Sequence, residues 1–181
     1  DFGEPGRTGF GGGIYSSYHS YSTILNSILW DNYALQGNEL AVGTGFEYDP
    51  RPSTVNVSYS DVKGGQSHVF IDYGCTLIWG VGNIHVDPCF VTGPLGSYYL
   101  SQIDTNDPNQ IADSPCVDTG NDLASNVGLS HTYTTRTDDV FDINVVDMGY
   151  HYPLAHPIDL CSFCDLSHNG DVNFVDFAIF S

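Results

Sequence analysis

Near the C-terminus, Asp165 to Asp176 reads DLSHNGDVNFVD and sets oxygen-bearing side chains at positions 1, 3, 5, 9 and 12 of a twelve-residue loop. Gly170 stands at position 6, where such a loop must turn sharply. A hard cation such as Ca2+ takes about six to eight oxygens, and this spacing offers them. Asp165, Ser167 and Asn169 would coordinate through their side chains, Asp171 through its backbone carbonyl, Asn173 directly or through water, and Asp176 would close the loop. Glu is the usual closing residue, and Asp176 is one methylene shorter. The same residues could instead form an Asp- and Asn-rich surface turn. Phe174 and Phe177 to Phe180 supply the apolar face of a short helix that starts inside the loop, where Asp176 favours the first turn.

Other candidate chemistry is sparser. Glycoside hydrolysis needs two carboxyl groups at a set separation, and Asp61, Asp72 and Asp87 lie near strand-like segments where they could line one face. Asp in turns such as SDVKGG and VDPCF more often caps backbone N–H groups. A polyuronate lyase needs cations for substrate carboxylates and a Lys or Arg base. Lys63 is the only Lys, and Arg7, Arg51 and Arg136 are far apart, which argues against that activity. No Ser sits in a GxSxG elbow and no HExxH is present. His151 and His156 flank prolines without a third ligand in view and read as surface or turn residues. Asn56-Val57-Ser58 matches an N-glycosylation sequon, a common triplet.

Five cysteines, Cys75, Cys89, Cys116, Cys161 and Cys164, allow at most two bridges. Cys161 and Cys164 form a CxxC without a second pair of zinc ligands, so a tight local disulfide or two buried free thiols fits better than zinc. Aromatic residues make up 13% of the chain and Tyr dominates with 12 copies. Rows of exposed Tyr and Trp can stack on sugar rings. Trp30 and Trp79 each follow an aliphatic residue in a strand, so packing is the competing role for both.

Four Lys plus Arg against 22 Asp plus Glu give a formal charge of −18. Phosphate backbones and anionic membrane surfaces would be repelled, which excludes nucleic acid as a partner. No apolar run is long enough to span a bilayer, so membrane insertion is not expected. The low charged fraction, 14%, with abundant Gly, Ser, Thr, Asn and Tyr, suits a turn-rich secreted or surface-exposed β protein. The opening residues DFGEPGRTGFGGG carry neither an initiator Met nor a signal pattern, as expected of a chain that begins inside a longer or processed precursor.

The elements that must position these residues are short strands. Ser53 to Gly65 (STVNVSYSDVKGG) holds Thr54, Val55, Val57 and Tyr59 before a Gly pair, with echoes at Thr23 to Asn32 and Gly82 to Phe90. Asn26, Asn56 and Asn83 mark spacings of 30 and 27 residues. Such a loose period, with Gly, Asn, Asp and Ser turns between, predicts stacked β units. Further strands are expected at Gly11–Tyr15, Ile24–Trp30, Leu40–Val42, Val69–Ile71, Thr76–Trp79, Tyr98–Leu100, Cys116–Val117 and Val145–Tyr150. Pro50 and Pro52 in Phe46 to Pro52 exclude a central strand there.

Two resemblances follow. NSILWDN, VSYSDVKGG, LIWGVGNIHVDPCF, YYL, SPCVDTGN and VDMGYHYP, in that order over about Gly11 to Pro153, resemble right-handed parallel β-helix repeat proteins of secreted bacterial type. The closing loop with FAIF resembles the first half of a type I dockerin repeat, which implies calcium and a cohesin-like partner. Dockerins carry two such loops and one is present, so a local calcium staple stands beside docking. The expected fold is therefore all-β: a right-handed parallel β-helix (solenoid) over 1–152, with an irregular cover at about 93–152, a Pro- and Cys-containing linker at 153–164 and a calcium loop and short helix at 165–181.

These features point to an extracellular structural or adhesive module, one that assembles head-to-tail into a homopolymer through its open ends or holds a polysaccharide. The alternative is a non-catalytic fragment of a secreted carbohydrate-active enzyme tethered through a dockerin.

Overall fold

A computed structural model describes residues 9–154. The calcium loop at 165–176, Cys161, Cys164, His156 and Arg7 lie outside the described residues, as does all but the start of the 153–164 segment.

The N-terminal part runs through β1 (Ile14–Ser16), β2 (Tyr21–Leu25), β3 (Ile28–Leu29), β4 (Leu40–Val42), β5 (Gly45–Phe46), β6 (Asp49–Pro50), β7 (Thr54–Ser58), β8 (Asp61–Val62), β9 (Phe70–Ile71) and β10 (Thr76–Trp79). β7 shows why these strands form. Its alternate residues Val55 and Val57 are buried while Thr54, Asn56 and Ser58 face outward, the period-two pattern of a strand with one covered face. β2 and β10 flank it in parallel, placing Val57 between Ile24 and Trp79 and Val55 between Ser22 and Leu77. A second parallel sheet orders β1, β4 and β9, and β3 pairs with β8. Ile24, Leu29, Leu40, Val42, Val55, Val57 and Val62 meet as one buried cluster, with Ile14, Val69, Cys75, Leu77 and Trp79 at its margin.

The corners after β2 and β7 repeat a device. Asn26 and Tyr59 adopt left-handed backbone angles, and the next residues, Ser27 and Ser60, each donate a hydroxyl to the carbonyl two residues back, Leu25 and Ser58. The corners before these strands also align: Ser20 N–H donates to Ser53 Oγ, 33 residues on, and Ser53 N–H to Cys75 Sγ, 22 residues on. The hairpin of β5 and β6, spliced into the first interval, accounts for the inequality. The asparagine markers are therefore out of register, since Asn56 sits beside Thr23 and Ile78.

The expectation of a right-handed parallel β-helix is corrected. Among the described residues the strands are short and fall into six separate sheets of two or three strands, with neither a solenoid nor a closed sheet. Among the described residues, parallel pairing runs no further than β10 and a single bridge from Asp61 to Ile84, and the sequence after it is interrupted by Pro88, Pro94, Pro108 and Pro115. Beyond β10, β11 (Phe90–Gly93) and β12 (Gly96–Leu100) form an antiparallel hairpin, and β13 (Tyr133–Thr134) pairs antiparallel with β14 (Tyr152–Pro153). Cys116–Val117 lies in a turn, and Val145 makes only an isolated bridge to Leu123. Head-to-tail polymerisation through solenoid ends loses its basis with the solenoid. Among the described residues no helix is long and apolar enough to cross a membrane.

Leu100, Cys116 and Met148 form a second core, against which Ile28, Tyr59, Ile84, Phe90 and Val117 pack. Asn26 ties the two parts together. Its carboxamide donates to Asn121 Oδ1 at 2.7 Å and accepts from Asn121 N–H at 3.0 Å, while its carbonyl accepts from Gly149 N–H at 2.8 Å.

Candidate functional site

Where the second core meets the corner after β2, a groove of about 480 Å³ opens between Trp30, Phe90, Tyr98 and Tyr150, with Asn26 and Asn32 among its polar lining. Tyr98 and Tyr150 are 61% and 60% exposed, so their rings are available to a ligand. Both are braced from behind. Tyr98 meets Phe90 edge to face at 5.4 Å, and its N–H donates to Tyr152 Oη at 3.2 Å. Tyr150 stands edge-on to Tyr152 at 4.7 Å, and Tyr152 stacks on buried Tyr99 at 4.0 Å. Lys63 lies over the Trp30 ring, 5.4 Å from its centroid, and pairs with Asp31. A rigid aromatic wall of this kind can take the C–H face of a sugar ring, with carboxamides nearby for its hydroxyls. A second hollow, about 450 Å³ between Gly64–Ser67, Trp79 and Asn83–His85, presents a single half-buried aromatic ring.

Behind the groove wall lies a buried acidic cluster. His151 Nε2 is 2.8 Å from Asp142 Oδ2, and its Nδ1 is 3.2 Å from the Gly149 carbonyl. Asp147 N–H donates to the same Asp142 oxygen at 3.0 Å. The Asp147 carboxyl accepts from Asp118 N–H at 2.7 Å and from the Thr135 hydroxyl. Asp147 is only 4% exposed, and burial followed by repulsion from Asp142 pushes its carboxyl up to about 6. Deep burial makes this a structural network rather than a surface for substrate.

The three aspartates do not form a catalytic pair. Asp61 is wholly buried, accepts from Val86 N–H at 3.2 Å and lies 3.4 Å from the Cys116 thiol. Burial pushes it up to about 6 and, with Asp61 beside it, raises the Cys116 thiol. Asp72 accepts from the Thr44 hydroxyl at 2.8 Å and from Tyr73 N–H at 2.7 Å, and Asp87 accepts from Cys89 N–H at 2.9 Å. Asp72 and Asp87 each cap a neighbouring backbone N–H, and Asp61 caps the N–H of Val86, 25 residues on, so each carboxyl is engaged where it stands rather than paired with another across an open cleft. Arg51 pairs with Asp49, and Arg136 forks between Asp104 and Asp138.

The two tryptophans divide. Trp79 packs against the first core, whereas Trp30 lines the groove. His151, expected as a surface or turn residue, has its side chain largely enclosed against Asp142. Phe90, Tyr98 and Tyr150 were legible only as part of a high aromatic content. Asp147 did leave a signal, a carboxylate inside the apolar run VVDMG. Among the described residues no group of three or more His, Cys, Asp or Glu could hold a metal ion, and the six candidate calcium ligands lie outside them. Comparisons with protein families, with curated proteins and with solved structures return no match.

Proposed function

We propose that this chain is an extracellular adhesive module that holds a neutral polysaccharide along the wall of Trp30, Phe90, Tyr98 and Tyr150. The observation that carries this reading is the pair of exposed Tyr rings braced by Phe90 and Tyr152. Bracing matters because a platform already in place loses little conformational freedom on binding. A formal charge of −18 selects against polyuronates and sulfated glycans and leaves uncharged chains as the ligand class. The loop Asp165, Ser167, Asn169, Asp171, Asn173 and Asp176 would bind Ca2+ and either staple the C-terminal residues or engage a cohesin-like partner. A non-catalytic fragment of a carbohydrate-active enzyme would use the same groove for the same ligand.

Native electrophoresis in gels cast with hydroxyethylcellulose, glucomannan or polygalacturonate tests the groove. Retardation by at least one neutral polymer and none by polygalacturonate is expected, with Tyr98→Ala and Tyr150→Ala each weakening binding about tenfold. Free migration in both neutral gels would remove the reading. Calorimetric titration of the full chain with Ca2+ should give one site that Asp165→Ala abolishes.

A further inference from the structure

Three aligned corners lead into β2, β7 and β10, and one of them holds far more chain than its neighbours need. Four residues suffice between β1 and β2 (17–20) and between β9 and β10 (72–75), whereas eleven (43–53) join β4 to β7. The surplus is the hairpin of β5 and β6, with Glu47 and Tyr48 at its tip and its base closed by Arg51 N–H on the Thr44 carbonyl at 2.9 Å. Ordering extra backbone costs conformational entropy, and the hairpin gives no side chain to either buried core in return.

What the hairpin displays is aromatic. Phe46 and Tyr48 stack at 5.5 Å with their planes 24° apart, and Tyr18 meets Phe46 edge to face at 5.4 Å. All three rings are exposed, Tyr48 by 85%. Gly45 has a φ of 89°, and a Cβ there would stand 3.1 Å from Tyr18 Cδ2, so glycine lets the Tyr18 ring lie against the hairpin. Asp49 Oδ2 fixes the arrangement from the side, accepting from Tyr18 Oη at 3.3 Å and from Arg51 Nε at 3.0 Å, while the Arg51 guanidinium lies 5.1 Å from the Tyr18 centroid.

We propose that the hairpin of β5 and β6, with Tyr18 and Arg51, is a second binding site, one that takes an uncharged, diol-bearing glycan chain. The guanidinium covers Tyr18, which leaves the ring of Tyr48 at the tip for the C–H face of a sugar. Arg51 and Asp49 are each about half exposed and set donors and acceptors side by side. That is the complement of a vicinal diol, each hydroxyl of which both donates and accepts. Arg51 is already neutralised by Asp49, and Glu47 adds a negative charge at the tip, so an anionic chain is not drawn here. The site is built from its own residues and does not need the groove. Cross-linking of polymer by one chain holding it at both places rests on the groove reading above.

Native electrophoresis of the full chain in hydroxyethylcellulose and glucomannan gels tests this with four proteins: wild type, Tyr48→Ala, Tyr98→Ala with Tyr150→Ala, and all three together. Tyr48→Ala should weaken retardation about fivefold without moving the melting temperature, because its ring is exposed. The groove double variant should keep part of the retardation and the triple variant none. Arg51→Ala, which leaves all three rings in place, should also weaken binding about fivefold. Wild-type migration of both Tyr48→Ala and Arg51→Ala, with the groove variants weakened, overturns the second site and leaves the groove standing. Loss in Tyr48→Ala with groove variants that migrate as wild type upholds the hairpin and removes the groove reading instead. Free migration of the wild type in both gels removes both. Sedimentation velocity showing a dimer that Tyr48→Ala dissolves would make the hairpin a contact between copies and overturn the proposal.

Discussion

Two buried carboxyl groups set how this protein responds to pH. Asp61 and Asp147 are both pushed up to about 6, chiefly by burial, from an ordinary value of 3.8. A raised value in the folded state means stability that is complete below 3.8 and is lost as pH climbs through about 6. Two decades of shift correspond to about 3 kcal/mol for each group at most. Asp72 and Asp138, held below the usual range by the Thr44 hydroxyl and by Arg136, act in the opposite sense as pH drops under 3.8. The melting temperature should therefore peak between about pH 4 and 5 and decline by pH 7. Calorimetric scans across that range check it, and Asp61→Asn should flatten the decline. An unchanged slope in Asp61→Asn would show that its carboxyl is not the source. Sequence alone suggested that Asp61 caps a backbone N–H of its own turn, whereas the N–H it accepts from is that of Val86, 25 residues on. Nor could sequence show the Cys116 thiol 55 residues away against the other oxygen.

At the scale of elements, legibility followed the range of the interactions. Thr76–Trp79 and Leu40–Val42 are strands with the bounds that β-branched and aliphatic runs suggest, since strand propensity and alternation are local. Ile24–Trp30 reads as one strand but is two, broken by the left-handed corner at Asn26 that the clamp to Asn121 and Gly149 holds in place. The neighbours of β7 depend on which segments align, and a hairpin insertion of a few residues shifts that alignment without leaving a mark in the period. The groove was illegible for the same reason, since Trp30 and Tyr150 come from opposite ends of the described chain. Two substitutions test the elements. Val57→Ala, in the middle strand of the β10-β7-β2 sheet and fully buried, should cost about 2–3 kcal/mol of stability in urea unfolding. Ile78→Ala, one strand over and 43% exposed, should cost under about 1 kcal/mol.

At the scale of the whole molecule, the excess of acid over base reaches past ligand choice. The described cations are each engaged: Arg51 with Asp49, Lys63 with Asp31 and the Trp30 ring, Arg136 with two aspartates. Proteases that cut after Lys or Arg must pull one such side chain out of its pairing and thread the adjoining backbone through their cleft. Arg51 is followed by Pro52, which blocks that scissile bond, and Lys63 leads into the tight Gly64-Gly65 turn. The described residues would therefore resist trypsin-like digestion, while remaining open to enzymes that cut after aromatic residues such as Tyr48 and Tyr73.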